Sequence, residues 1–277
     1  MIENKYNFKS TDNLNLFVRS WQASEKPAAV ICLIHGLGEH SGRYSNLAEY
    51  FVKKNISVLA MDLRGHGLSD GKRGHTPNYE CLLEDIKQLI NKAKELYPDC
   101  PIILYGHSMG GTLALSYSQS YYKDIKLLIS TSPWLRLSFA PSKIKILLAT
   151  LFSSLLPSLI QKTGLNPLHL SKNKVIVEQY TNDVLVHDKI SVSTYLSIFN
   201  AGSNLMKSKD IKIPCAILHG NEDKICSWQA SSEFAGNNKN FVEYKLWDGL
   251  YHELHNEDIH VEIYDYIYNW ISKSLTN

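Results

Sequence analysis

The sequence predicts an α/β fold: a mostly parallel central sheet with helices on both faces and an inserted helical cap. Three observations predict it. Short apolar runs at Ala28 to Ile34, Ile56 to Met61, Ile102 to Tyr105 and Lys126 to Ser130 have the composition of strands covered on both faces. Helical stretches separate them. In the clearest, from Tyr79 to Tyr97, Leu82, Leu83, Ile86, Leu89, Ile90, Ala93 and Leu96 fall on one stripe. The alternation then lapses between about 135 and 205 and resumes at Ile213.

Tyr6 to Ser10 and Leu14 to Trp21 flank a Thr-Asp-Asn turn, and Leu14, Leu16 and Val18 alternate with polar residues, so the chain opens with an antiparallel hairpin at the sheet edge. The run Ala28 to Ile34 ends in His35-Gly36-Leu37-Gly38-Glu39-His40 and leads into an amphipathic helix from Arg43 to Lys54. After the strand Ile56 to Met61 comes a polar, Gly-rich loop from Asp62 to Gly71. It matches neither the dinucleotide nor the P-loop glycine pattern, so phosphate binding is not expected there. Pro98 stops the crossover helix, and Ile102 to Tyr105 runs into Gly106-His107-Ser108-Met109-Gly110-Gly111.

Beyond Pro133 and Trp134 the expected helices are Ile144 to Leu155, Val175 to Tyr180 and Ser191 to Leu205. Ile144, Leu147, Leu148, Leu151 and Leu155 form an apolar stripe flanked by Lys143, Lys145 and Lys162, which suits either a helix packed on the body or a lid that meets lipid. The strand pattern returns at Ile213 to Leu218, ending in His219-Gly220-Asn221-Glu222-Asp223-Lys224, and again at Val242 to Leu246 before Trp247 to His252. A terminal helix from about Asp258 buries Ile259, Ile263, Ile267, Trp270 and Ile271. The division expected is one core domain, 1–134 with 206–277, and an inserted helical cap, 135–205.

Composition bounds the partners. A chain of 277 residues with 44% hydrophobic content fills one large core. The 29 Lys+Arg and 27 Asp+Glu leave a net charge of only +2, interspersed, which argues against a nucleic-acid partner. The first residues carry no basic segment followed by an apolar one, so the expected location is cytoplasmic, with peripheral membrane contact through the cap. Five cysteines without pattern point to no disulfides. The longest apolar stretch, Ile144 to Ile160, contains Lys145 and Pro157 and is too short to span a bilayer.

The chemistry centres on Ser108. A serine on a tight strand-to-helix turn, with glycine two residues before and two after, is held out above the sheet as a nucleophile. Its next backbone N–H, at Met109, points into a helix N-terminus, where negative charge is favoured. Asp223 and His252 each lie just past the C-terminal end of a strand, at the sheet edge that carries Ser108, and complete the order Ser, Asp, His. Glu222 is the rival acid and Asp183 a more distant one. His255 is the rival base. The His-Gly loop supplies a second oxyanion donor at the Leu37 N–H. In His252-Glu253-Leu254-His255 the histidines are three apart, not the four a zinc helix needs, and neither metal nor cofactor is expected.

Together His35 to Tyr44, Gly65-His66-Gly67, Gly106 to Gly111, Asp223 and Tyr251-His252 resemble the monoacylglycerol lipases, within the serine α/β-hydrolases that include lysophospholipases. The resemblance spans nearly the whole chain. It implies an α/β-hydrolase fold, cleavage of one long acyl chain from glycerol through an acyl-enzyme, and Ser108, Asp223 and His252 as triad, with Leu37 and Met109 as backbone donors. It also implies a polar glycerol pocket of Glu39, Arg43, His107, Tyr180 and His255. Leu37 departs from the smaller residue of the mammalian enzymes and leaves headgroup preference open. The same triad would serve a lysophospholipase or a general carboxylesterase, and a catalytically silent binding protein is the reading from another class.

Overall fold

The computed structural model describes residues 2–276 except 141, 143–146, 148, 149, 152 and 154. Eight strands form the main sheet: β1 (Ile2–Lys9), β2 (Asn15–Gln22), β3 (Ala29–Ile34), β4 (Ile56–Met61), β5 (Ile102–His107), β6 (Leu127–Thr131), β9 (Cys215–Gly220) and β10 (Val242–Trp247). Their order across the sheet is β1-β2-β4-β3-β5-β6-β9-β10. The first two pairings, β1 with β2 and β2 with β4, are antiparallel, and all the others are parallel. From β3 the chain steps outward to β4, then crosses back to β5 and proceeds the other way. The loops after β3 and β5 therefore diverge, and the crevice between them is the place where such sheets bind ligands.

Side chains sort by strand period. Val30, Cys32 and Ile34 of β3 join one core cluster with Leu82, Ile86 and Leu89 of α2 (Tyr79–Leu96) and with Leu113 of α3 (Met109–Tyr121). Ile31 and Leu33 face the opposite cluster, with Leu47 and Phe51 of α1 (Ser45–Lys53) and Ile263, Ile267 and Ile271 of the terminal helix. The sheet is thus buried on both faces, as its unbroken apolar strands require.

Among the elements fully described between β6 and β9 are a two-stranded antiparallel pair, β7 (Ile160–Lys162) with β8 (Lys189–Ser191), and the helices α4 (Lys174–Asn182) and α5 (Val192–Leu205). The helical segments expected at Val175 to Tyr180 and Ser191 to Leu205 correspond to α4 and α5. The β pair is absent from the sequence pattern, because three-residue strands carry almost no period. Helix α5 packs on the body: Ile198 and Leu205 join the sheet's core cluster, and a Cβ on Gly202 would stand 2.7 Å from the carbonyl oxygens of Trp134 and Leu135. Most of the expected helix Ile144 to Leu155 lies outside the described residues; of its stripe, Leu147, Leu151 and Leu155 are exposed. Two further helices complete the chain, α6 (Trp228–Asn237) and α7 (His260–Thr276).

Candidate active site

Ser108 sits between the end of β5 and the start of α3 with φ 54° and ψ −117°, a conformation that side chains rarely adopt. Its backbone is fully engaged: its N–H donates to Thr131 O at 2.9 Å, and its carbonyl accepts from Thr112 and Trp134, each at 3.1 Å. Glycine is required around it by close approach. A Cβ on Gly106 would meet Gly110 O at 2.2 Å, and one on Gly110 would meet Ile34 O at 2.2 Å.

The loop after β3 is pinned against this turn. Leu63 N–H donates to His35 Nε2 at 2.9 Å, which leaves the His35 Nδ1–H to donate to Gly36 O at 2.7 Å. Gly36 N–H donates to Glu39 Oε1 at 2.6 Å, and His187 N–H from the inserted segment donates to Gly38 O at 2.9 Å. No oxygen among the described residues accepts the Leu37 N–H. Met109 opens α3, where first-turn N–H groups lack an acceptor within the helix. A Cβ on Gly36 would lie 3.2 Å from Ser108 Cβ, so the loop and the serine are in contact distance.

Asp223 and His252 arrive from the loops after β9 and β10. His252 Nδ1–H donates to Asp223 Oδ2 at 2.7 Å, with both residues buried. The other oxygen, Oδ1, accepts from the N–H groups of Ile225 at 2.7 Å and Cys226 at 3.0 Å. Burial opposes the Asp223 charge, but the His252 and His219 imidazoles outweigh it and hold the carboxyl far below the usual range. Burial also opposes a charged His252; Asp223, with Glu253 and Glu39 behind it, prevails and raises its pKa above the ordinary histidine value. None of the rivals joins this pair. Glu222 pairs with Lys172 at 3.2 Å near the surface, Asp183 holds His40 Nε2 at 2.8 Å, and neither ring nitrogen of His255 has a partner among the described residues.

Three imidazoles cluster here: His107 lies 4.8 Å, ring to ring, from both His252 and His255, and His255 stacks on Tyr44 at 4.5 Å. Burial keeps His107 well below the ordinary value and brings His255 down to about 4, so both are neutral. Arg43 forms a bidentate pair with Glu253 at 2.6 and 2.7 Å, donates to Glu39 Oε2 at 2.9 Å, and lies 4.8 Å from the Tyr180 ring centre. Burial would raise the Glu253 carboxyl, yet the guanidinium draws it down to about 2. A cavity of about 740 Å³ opens on Ser108 and His252. Leu37, Glu39, His107 and Tyr180 line it; Arg43 and His255 do not, and stand one layer behind.

Two functional candidates escape a reading of the sequence. Glu253 stands there only as a letter in a failed zinc pattern, and His219 only as the end of a strand. In the structure His219 is fully buried with its Nε2 2.9 Å from Asp223 Oδ2. The signal available is spacing: a histidine four residues before the acid, near the end of the strand that delivers it.

A family profile described as serine aminopeptidase, S33, matches residues 25–259. The chain is 37% identical over 276 residues to an uncharacterized abhydrolase domain-containing protein of Dictyostelium discoideum, covering 98% of this chain but 29% of that much longer protein. It is 30% identical to the monoglyceride lipase of Rattus norvegicus, covering 95% of this chain and 88% of that one. The crystal structure of Paleococcus ferrophilus monoacylglycerol lipase superposes with a TM-score of 0.86 at 31% identity, over 94% of this chain and 99% of that one. The strained serine, the shared topology and the matched length converge: the chain belongs to the serine aminopeptidase, S33 family and is an ester hydrolase of the α/β-hydrolase fold.

Proposed function

We propose that the protein cleaves the ester between one long acyl chain and glycerol, through an acyl-enzyme on Ser108. The observation that carries this is the buried Asp223–His252 hydrogen bond at 2.7 Å beside a strained serine at the wall of a 740 Å³ cavity. In this reading Ser108 Oγ attacks the ester carbonyl while His252 Nε2 takes its proton, and Asp223 stabilises the resulting imidazolium. The Leu37 and Met109 N–H groups receive the oxyanion. As the tetrahedral intermediate collapses, His252 returns the proton to the departing glycerol oxygen. Water, deprotonated by the same imidazole, then releases the fatty acid and restores Ser108.

Charge supports an uncharged alcohol. Glu39 and Glu253 flank the single guanidinium of Arg43, so the alcohol side carries one excess negative charge in a low-dielectric wall, which disfavours a phosphate-bearing headgroup. The Tyr180 hydroxyl has no partner among the described residues and lines the cavity, free for a glycerol hydroxyl. The rat and P. ferrophilus proteins, named for monoglyceride and monoacylglycerol hydrolysis, support the same substrate. Exposed Phe139 and Leu159 at the cavity, with Leu147, Leu151 and Leu155 nearby in sequence, support a cap that meets lipid.

The test is a rate comparison at one acyl length: monoacylglycerol, lysophosphatidate, methyl ester and triacylglycerol. Monoacylglycerol should lead. Tyr180→Phe should narrow its advantage over the methyl ester by roughly tenfold, because a hydroxyl left unpaired costs about 1–3 kcal/mol. Ser108→Ala should lower kcat by about 10⁴ or more. Equal kcat/KM for monoacylglycerol and methyl ester would leave a general carboxylesterase; a lead for lysophosphatidate would leave a lysophospholipase. Failure of a fluorophosphonate to label Ser108 would leave a silent binding protein.

A further inference from the structure

We propose that His219 is a positioning residue for the acid of the triad, fixing Asp223 Oδ2 through its Nε2–H and metering the support that this oxygen gives His252. The proposal rests on the triad reading above. Two imidazole N–H groups converge on one carboxylate oxygen: His252 Nδ1 at 2.7 Å and His219 Nε2 at 2.9 Å. His219 is fully buried, and its other nitrogen, Nδ1, lies 2.8 Å from Ser231 Oγ. That hydroxyl has no other acceptor among the described side-chain contacts, so it donates to Nδ1 and leaves the ring N–H on Nε2, aimed at Asp223. With two backbone N–H groups on Oδ1, the carboxylate then accepts four hydrogen bonds and no lone pair remains for water.

The second imidazole has a cost as well as a use. A carboxylate that accepts an extra strong donor is a weaker base, so it stabilises an imidazolium less. His219 therefore holds the acid in line and at the same time restrains how far it raises the proton affinity of His252. The other groups facing His252 are the carboxylates of Glu253 and Glu39, the neutral rings of His107 and His255, and the Arg43 guanidinium behind them. None of these touches Asp223 Oδ2, so replacing His219 leaves their effect on His252 in place.

In His219→Leu the two backbone N–H groups still grip Oδ1, so Asp223 stays in place and becomes more basic. The readout is the rate of fluorophosphonate labelling of Ser108 against pH, which needs no knowledge of the substrate. The acid limb should move to higher pH by roughly 0.5–1 unit, since a more stable imidazolium must be deprotonated before it can act. The plateau should fall by less than about tenfold. His219→Gln, which keeps an amide donor, should return the limb toward its original place. If the leucine variant does not fold, the glutamine variant carries the test by proton NMR of the resting enzyme. Two far-downfield imidazole N–H signals are expected, one lost in His219→Gln and both lost in Asp223→Asn. An acid limb that stays or moves to lower pH in His219→Leu, or a single downfield signal in the unmodified enzyme, overturns the proposal. No labelling of the unmodified enzyme at any pH would instead overturn the triad itself.

Discussion

Cys226 lies three residues past the acid, and the structure joins it to the site twice. Its N–H donates to Asp223 Oδ1 at 3.0 Å, and its side chain lines the same cavity as Ser108. The side chain is buried but lines the cavity, so a reagent that enters can meet it. Burial, with the Asp223 charge behind it, holds the thiol well above its ordinary pKa, and the thiolate is the reactive form. Burial raises the thiols of the partly buried Cys81 and Cys100 less, so alkylation by a maleimide should be slower at Cys226 than at these two, yet loss of activity should follow the slow adduct and not the fast ones. Peptide mass spectrometry set against residual activity reads this directly. Undiminished inactivation of Cys226→Ser would show that the inhibitory thiol is elsewhere.

At the scale of elements, the turn between β5 and α3 has the least room to change. The carbonyl oxygens of Ile34 and His35 would lie 2.2 and 2.5 Å from a Cβ on Gly110, and both belong to backbone that cannot swing away. Gly110→Ala should cost about 3 kcal/mol or more and depress soluble yield, as overpacking against fixed backbone does. Gly236, inside α6, has no atom within 4 Å of an added Cβ, and Gly236→Ala should raise stability by about 0.5–1 kcal/mol. Urea midpoints of the two variants give the contrast; equal effects would mean that the packing around Gly110 yields. The same elements show what a sequence exposes. Strands β3, β4, β5 and β9 are buried on both faces, and their apolar runs cannot be mistaken. Helix α6 is hidden from such a reading, because Ala230, Ser231, Phe234 and Ala235 make too small an apolar stripe to stand out. The gathering of Ser108, Asp223 and His252 at one edge of the sheet is legible from chain order and from glycine placement. The contacts of His219 and Glu253 are less so: a spacing of four residues does not say that His219 turns toward Asp223, and the pair of Glu253 with Arg43 spans 210 residues.

Across the whole molecule, burial has filled the interior with neutral histidines. His35, His66, His107 and His255 are buried, and desolvation lowers the pKa of each below the ordinary 6.5, in His255 to about 4. For such a group the unfolded chain binds a proton that the folded one refuses, so stability falls as pH drops below 6.5 and continues to fall until the folded pKa is reached. His252 acts in the opposite sense: its raised pKa adds stability that is complete below 6.5 and lost as pH rises through the folded value. These four, joined by His187, which burial brings down to about 4, outweigh the one and leave a net loss on acidification, each buried group worth on the order of 1 kcal/mol per pH unit where it applies. Against a total stability of roughly 5–15 kcal/mol this decides whether the enzyme survives mild acid. Urea titrations at pH 7, 6 and 5 should show a steep decline. Glu253 adds its share lower down, between the ordinary 4.5 and about 2, where protonation would strip Arg43 of its bidentate partner. His255 allows the claim to be isolated. It stacks on Tyr44, and neither nitrogen has a partner among the described residues, so His255→Phe keeps the stack and loses no hydrogen bond. That variant should match the unmodified protein at pH 7, exceed it at pH 5, and show a stability slope shallower by about one proton; an unchanged slope would mean that His255 is already charged in the folded state.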